Sequence, residues 1–227
     1  MQNKISRPVP TLKPPALPKK FLGRALPEPR LANFGRYSQL SLTHEQFSGQ
    51  SADRLSFEQM VFKGVSLHAS ELEHTQITDC RLNECDLANA SWFQADFARV
   101  ELLNCRLTGF HTIEARLQDA LFKDCQAALA QFRFSTFKTC RFEQCDLSDA
   151  DFQGADLTGV VFAQCNLRRA EMSGAKLAGA DLRGCTLDGL HAGWQELQGA
   201  IIDPSQALAL VQALGIIVEW PGGSSPD

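Results

Sequence analysis

Eight cysteines and five histidines are the side chains of this sequence best suited to chemistry, as metal ligands, disulfide partners, nucleophiles or bases. The cysteines stand at positions 80, 85, 105, 125, 140, 145, 165 and 185. Every gap between them is a multiple of five, unlike the two-residue gaps through which zinc sites gather thiolates. The histidines, His44, His68, His74, His111 and His191, keep no fixed offset from one another or from a carboxylate. No nucleophile–base motif, phosphate-cradling glycine loop or dinucleotide fingerprint accompanies them. The expectation is therefore no enzyme, no cofactor and no metal centre. The regular spacing of the cysteines asks for a structural reason.

That reason is a repeat. From Leu42 to Ile202 every fifth residue is large and apolar: of 33 such positions, 28 are Leu, Phe, Ile or Met. The exceptions are Ala52, Trp92, Thr112, Ala127 and Ala192. All eight cysteines fall two residues before one of these positions, in a slot held elsewhere by Ala90, Ala95, Val100, Ala150 or Ala180. A slot that accepts Ala, Val or Cys is a packing slot. The cysteines are expected to be free, buried thiols, which suits a reducing cytoplasm. The histidines lie outside both series and are expected in solvent.

A period of five fits neither a helix nor a flat strand. It needs a chain that turns a corner every five residues, so that the large residue and the small one two positions earlier both point inward. Such a chain winds into a solenoid whose coils stack through backbone hydrogen bonds. The glycines at 154, 159, 174, 179, 184, 189 and 199 fall at the corners. The phase never slips between 42 and 202, and the least regular stretches are Gly109–Arg116, Gln126–Gln131 and Leu190–Glu196.

The segments Ala150-Asp151-Phe152-Gln153-Gly154, Ala155-Asp156-Leu157-Thr158-Gly159 and Ala180-Asp181-Leu182-Arg183-Gly184 match the pattern A(D/N)LXX. Residues 40–202 thereby resemble the pentapeptide-repeat family. The resemblance implies an all-β solenoid, a right-handed quadrilateral β-helix with four repeats per coil. That gives about eight coils, on the order of 40 Å long at about 4.8 Å per coil. Residues 20 apart then stack, so Phe122, Phe142 and Phe162 are expected to form a column, and Cys125, Cys145, Cys165 and Cys185 another. The unbroken phase departs from the quinolone-resistance (Qnr-type) members, whose loops interrupt it. It is closer to the loopless gyrase-binding members such as those of MfpA type.

Charge divides the chain. Residues 1–36 carry eight Lys and Arg against Glu28, net +7, and seven of the ten prolines. The remaining 14 basic and 25 acidic residues net −11. The expected organisation is a basic Pro-rich leader (1–36), a β-helix (37–202), a C-terminal helix and strand (203–220) and a tail (221–227). That proline density excludes helix and central strand and favours an extended leader. Pro14-Pro15-Ala16-Leu17-Pro18 could dock on an aromatic groove, and the basic leader could touch DNA. A solvated tail, lying on the body or out in solvent, is the plainer expectation. No apolar run approaches the 18 or so residues of a membrane span.

Asp203-Pro204 reads as a helix start, and Gly215 as its stop. Leu208, Leu210, Val211, Leu214, Ile216, Ile217 and Trp220 offer more apolar area than one solenoid end needs, and family members with a similar segment form tail-to-tail homodimers. A homodimer interface is expected there. Two surfaces are candidates for a partner. Asp53, Glu71, Glu73, Glu114, Asp151 and Glu171 lie on one face of the four-sided rod, against Arg54 and Arg133. Phe93, Ile113, Phe134 and Trp194 occupy outward slots on the same face, with Phe110, Leu121 and Leu129 nearby, and suggest an apolar contact patch.

The family resemblance implies a cytoplasmic, non-enzymatic protein that mimics DNA and engages a type II topoisomerase (DNA gyrase), protecting it from quinolone-like poisons. Residues 37–202 carry 14 basic and 22 acidic residues, net −8. Duplex DNA of about 40 Å carries about 23 charges, so shape must contribute as much as charge. A structural adaptor for an unrelated protein is the alternative.

Overall fold

The computed structural model describes residues 11–23, 26, 30–213 and 215–217. Twelve strands and one helix are formed among them. The strands are β1 (Arg36–Ser38), β2 (Ser41–Thr43), β3 (Ser51–Asp53), β4 (Ser56–Glu58), β5 (Val61–Lys63), β6 (Glu71–Glu73), β7 (Gln76–Asn83), β8 (Asp96–Leu103), β9 (Arg116–Lys123), β10 (Thr136–Lys138), β11 (Arg141–Glu143) and β12 (Val161–Ala163), followed by α1 (Pro204–Ala213).

Every strand pairing is parallel and offset by twenty residues. Phe57 pairs with Ile77, Ile77 with Phe97, Phe97 with Leu117 and Leu117 with Phe137. The class is a parallel β-solenoid with four repeats per turn. The strands span residues 36–163, about six turns at twenty residues each. Single-residue bridges carry the same register further, to Glu171↔His191 and Asp181↔Ile201. The turn count from strands is thus lower than the eight coils expected from the repeat. The repeat phase outlasts the extended backbone, and the last turns keep contact only at one residue per side.

Corners explain why five residues suffice. One residue in each repeat from Phe34 to Gly189 takes a positive φ, as at Asp79 (54°), Arg99 (55°), Asp119 (55°) and Phe134 (56°). Glycine does this without cost. Gly154, at φ 67°, is needed for a second reason: a Cβ there would lie 2.6 Å from the Phe134 ring, which leans over it.

The large inward series is buried from Leu42 to Leu187, and the small one from Leu55 to Cys185. Phe142 stacks on Phe122 at 4.6 Å and 13°, and on Phe162 at 5.1 Å and 5°, so the expected column forms. A second column stacks Phe132 on Phe152 at 5.0 Å. The irregular stretches are exchanges of size within the core. Thr112 occupies a large-residue slot while Phe110, two residues earlier, fills a small-residue slot and meets Trp92 edge-on at 5.6 Å. Phe110 is fully buried and is no part of a surface patch. Ala127 leaves room beside Phe122 and Phe132, whose rings meet edge-on at 6.3 Å.

Two segments close the rod. At the start, the Leu22 N–H donates to the Gln39 carbonyl (2.7 Å) and Gly23 bridges Leu40. From there residues 11–22 run along one corner of the solenoid, touching Gln59, Asp79 and Asp119 rather than an aromatic groove. At the other end, Asp203 caps α1. The Gln206 N–H donates to Asp203 Oδ1 (3.1 Å), and the Gln206 side chain accepts from the Asp203 N–H (2.9 Å), a capping box with Pro204 at the first helical position. Gly215, at φ 77°, ends the helix, with the Ile216 N–H bonded to the Val211 carbonyl. No helix among the described residues is long and apolar enough to cross a membrane.

Candidate functional site

A parallel ladder through Ser51, Glu71, Ser91, His111, Gln131, Asp151, Glu171 and His191 forms one side of the rod. The acidic residues flank its inward residues, as Glu71 and Glu73 flank Leu72 on β6. Glu71, Glu73 and Glu114 are exposed; Asp53, Asp151 and Glu171 are half-buried. Two of the exposed ones meet neutral neighbours, Ser51 donating to Glu71 (3.2 Å) and Gln94 to Glu114 (2.7 Å).

The half-buried three are paired with cations or imidazoles. Arg54 reaches Asp53 at 2.7 Å, and Arg133 reaches Asp151 at 2.6 Å. His74 Nδ1 lies 2.8 Å from Asp53, and His191 Nδ1 3.3 Å from Glu171. Partial burial of Glu171 acts against its charge, but hydrogen bonds from Ser173 and the contact with His191 hold its carboxyl below the usual range. The sequence shows no consistent relation between the histidines and carboxylates. The twenty-residue register was the missed signal, because it sets His191 directly over Glu171. Asp53, Glu73 and His74 bring three donor atoms within 4.8 Å of one another, and Arg54 already supplies positive charge there.

The four apolar residues do not share one environment. Phe93 and Ile113 are half-buried, one rung apart, and Phe93 meets the His74 ring edge-on at 6.4 Å. Phe134 is 59% exposed on the neighbouring corner column, leaning on Gly154. Trp194 is 66% exposed in the turn that follows the last bridge on this side. Leu121 is half-buried and Leu129 exposed.

Sequence reasoning missed a groove of about 1070 Å³ along the corner between this side and the next. Phe34 and Phe134 stand at its ends, with Arg54, His74, Gln94 and Glu114 between them. Arg36, Glu58, Gln76, Asp96 and Arg116 form its second wall, on β1, β4, β7, β8 and β9. The lining is polar and carries both charges. The guanidinium of Arg54 lies over the Phe34 ring at 5.7 Å.

The eight thiols are free and buried. The Sγ–H of Cys80, Cys125, Cys145 and Cys185 each donates to a carbonyl of the coil below, at Phe57 (3.5 Å), Leu102 (3.3 Å), Phe122 (3.4 Å) and Phe162 (3.3 Å). Burial pushes Cys80 and Cys140 up to about 12. A hydrogen bond with Cys105, and then burial, push Cys85 up as well. Thiols so raised are poor nucleophiles and poor ligands at neutral pH.

The C-terminal segment is divided. Leu210 is 6% exposed and packs on the core, and Gln206 Nε2 donates to the Leu182 and Cys185 carbonyls at 2.7 Å each. These two residues seat the helix on the end of the rod, so Leu210 faces inward rather than toward a partner. Val211 is half-buried; Leu208, Ile216 and Ile217 are exposed, Ile217 by 85%. Leu214 and Trp220 lie outside the described residues.

Solved structures similar to this chain include HetL, a pentapeptide-repeat protein involved in heterocyst differentiation regulation from the cyanobacterium Nostoc sp. strain PCC 7120. It is 19% identical over 73% of this chain and 94% of its own, with a TM-score of 0.45. Another is a trypsin-treated variant of QnrB1, a plasmid-mediated fluoroquinolone resistance protein, 18% identical over 82% of this chain and 100% of its own, with a TM-score of 0.39. No curated protein matches the chain. Two family models match, one described as pentapeptide repeat region over residues 75–152 and one as pentapeptide repeats (8 copies) over residues 145–184. With the five-residue period carried into a four-sided parallel solenoid, these matches make the chain a pentapeptide-repeat protein.

Proposed function

We propose that this chain acts by binding rather than catalysis, as a DNA-mimicking rod that engages a type II topoisomerase such as DNA gyrase and shields it from quinolone-like poisons. The observation that carries this reading is the acidic side of the rod. Its exposed carboxylates are Glu71 and Glu73, on a ladder whose rungs lie about 4.8 Å apart, and Glu114 at the corner beside it. Family resemblance supports the partner. The net charge of −8 over residues 37–202 is about a third of that on duplex DNA of equal length. The rod therefore competes through shape and the placement of a few carboxylates. Two copies joined through Leu208, Ile216 and Ile217 form a longer, two-fold rod, which suits a two-fold enzyme.

A supercoiling assay with purified gyrase, with and without a quinolone, tests the reading. Inhibition of supercoiling, or rescue from the drug, at micromolar protein is expected. Neither effect would leave the adaptor reading, in which the mixed-charge groove between Phe34 and Phe134 holds an unrelated protein.

A further inference from the structure

The leader is bound by the solenoid in a defined register. Ala16 N–H donates to Asp79 Oδ1 at 2.8 Å, and the Ala16 carbonyl accepts from Gln59 Nε2 at 3.0 Å. Lys13 N–H donates to Asp119 Oδ1 at 3.3 Å. Gln59, Asp79 and Asp119 belong to one corner column, with Arg99 between the two aspartates. Arg99 grips Asp79 through both oxygens, at 2.6 and 2.7 Å, and so orients the carboxylate that receives Ala16. Under the leader, Asp79 and Asp119 are each only 6% exposed.

The two repeats are commensurate. A polyproline-II chain rises about 3.1 Å per residue, so one turn of three residues covers about 9.3 Å. Two solenoid coils cover about 9.6 Å. Three residues separate Lys13 from Ala16, and two coils separate Asp119 from Asp79. The burial pattern follows the same period: Leu12, Pro15, Pro18 and Phe21 are half-buried, while Lys13, Pro14, Ala16, Lys19 and Lys20 are exposed. Leu17, also half-buried, is the one residue between 12 and 21 that departs from that period. Proline occupies leader positions that need no donor, and residues with an N–H occupy the two that do. Beyond Asp119 the column continues as Thr139, Gly159 and Gly179, without a carboxylate, which gives the site an end.

We propose that the corner column Gln59–Asp79–Arg99–Asp119 is a receptor for polyproline-II peptides, and that residues 11–18 are the ligand it holds in cis. Its ligand class is an extended, proline-rich, basic peptide with a free N–H at every third residue. Carboxylates at alternate coils read the backbone, and the acidic body favours the flanking lysines. Tethering sets the leader at an effective concentration in the millimolar range, so a peptide in trans binds only where the leader has been weakened.

The test uses the full chain and its Ala16→Pro variant, which removes one donor while keeping the extended backbone. The probe is a synthetic peptide of residues 11–22. In the variant, hydrogen exchange at the Lys13 amide is expected to quicken tenfold or more, with unchanged circular dichroism. The variant is expected to bind the probe one to one, at least tenfold more tightly than the wild type does. A probe carrying the same Ala16→Pro change is expected not to bind. Unchanged exchange at Lys13, equal binding of the probe by both chains, binding by neither, or equal binding of both probes would each overturn the proposal.

Discussion

Phe142 gives the sharpest mechanical test of the stacked register. Its ring is 1% exposed, sandwiched between Phe122 (4.6 Å) and Phe162 (5.1 Å) and flanked by Phe132, Phe137 and Phe152 at about 6 Å. Truncation to Ala removes the buried ring and both stacking partners. Phe→Ala in a core costs about 3–5 kcal/mol, and each lost aromatic pair adds about 0.5–1.5 kcal/mol beyond area. Collapse cannot relieve the hole, because Phe142 sits on β11, held in register to β9 below and β12 above. The upper end of that range, about 4–5 kcal/mol, is the expected loss. Phe142→Leu keeps most of the volume, in a slot that holds Leu in other coils, and should cost about 1–2 kcal/mol. Urea unfolding followed by far-UV circular dichroism measures both. Small and equal losses from the two variants would show that Phe142 has no rigid stack above and below it, and the twenty-residue register would fail with it.

Other expectations follow from the same geometry. Gln206→Ala removes the donors to the Leu182 and Cys185 carbonyls along with half of a capping box, and should lower stability by about 1–3 kcal/mol; amide exchange localised to the last coil would confirm the site. All eight thiols should resist a thiol reagent in the native state and react together in denaturant, since all are buried and burial holds Cys80 and Cys140 near 12. Hydrogen bonding from Arg99, against the opposing effect of burial, holds Asp79 below the ordinary carboxylate range. Its folded-state value is depressed, so its contribution to stability is complete at neutral pH and is lost only as pH falls below about 4. Asp79→Asn should flatten that acid limb of the stability–pH curve. Ile217→Glu should leave the fold intact, because Ile217 is 85% exposed in one copy; sedimentation at the mass of one chain for the variant, and twice that for the wild type, is the expected outcome of a C-terminal dimer.

The architecture was legible because a five-residue period constrains every side of a solenoid at once. The inward slots, the buried thiols, the phenylalanine column and both ends of α1 follow from that phase and from local capping rules. The irregular stretches were visible as irregular, but the exchange of sizes between Phe110 and Thr112 needs the fold to explain it. Phe110 looked like a surface residue only because its slot is usually small. Contacts that span register were harder to see. The pairing of Ala16 with Asp79 bridges 63 residues, and that of Lys13 with Asp119 bridges 106. No periodicity links a leader without repeats to a corner column. Leu210 was indistinguishable from its exposed neighbours, since helical spacing alone does not separate the face that caps the rod from the face left open.

In the proposed function, the acidic side of the rod takes the place of DNA on a type II topoisomerase. Fluorescence anisotropy of labelled duplex DNA bound to gyrase, titrated with this protein, is the decisive measurement. Displacement at micromolar protein is expected for the wild type, weakened tenfold or more when Glu71, Glu73 and Glu114 are together changed to Gln. Undisturbed DNA binding across the titration, or displacement indifferent to the three substitutions, would contradict it.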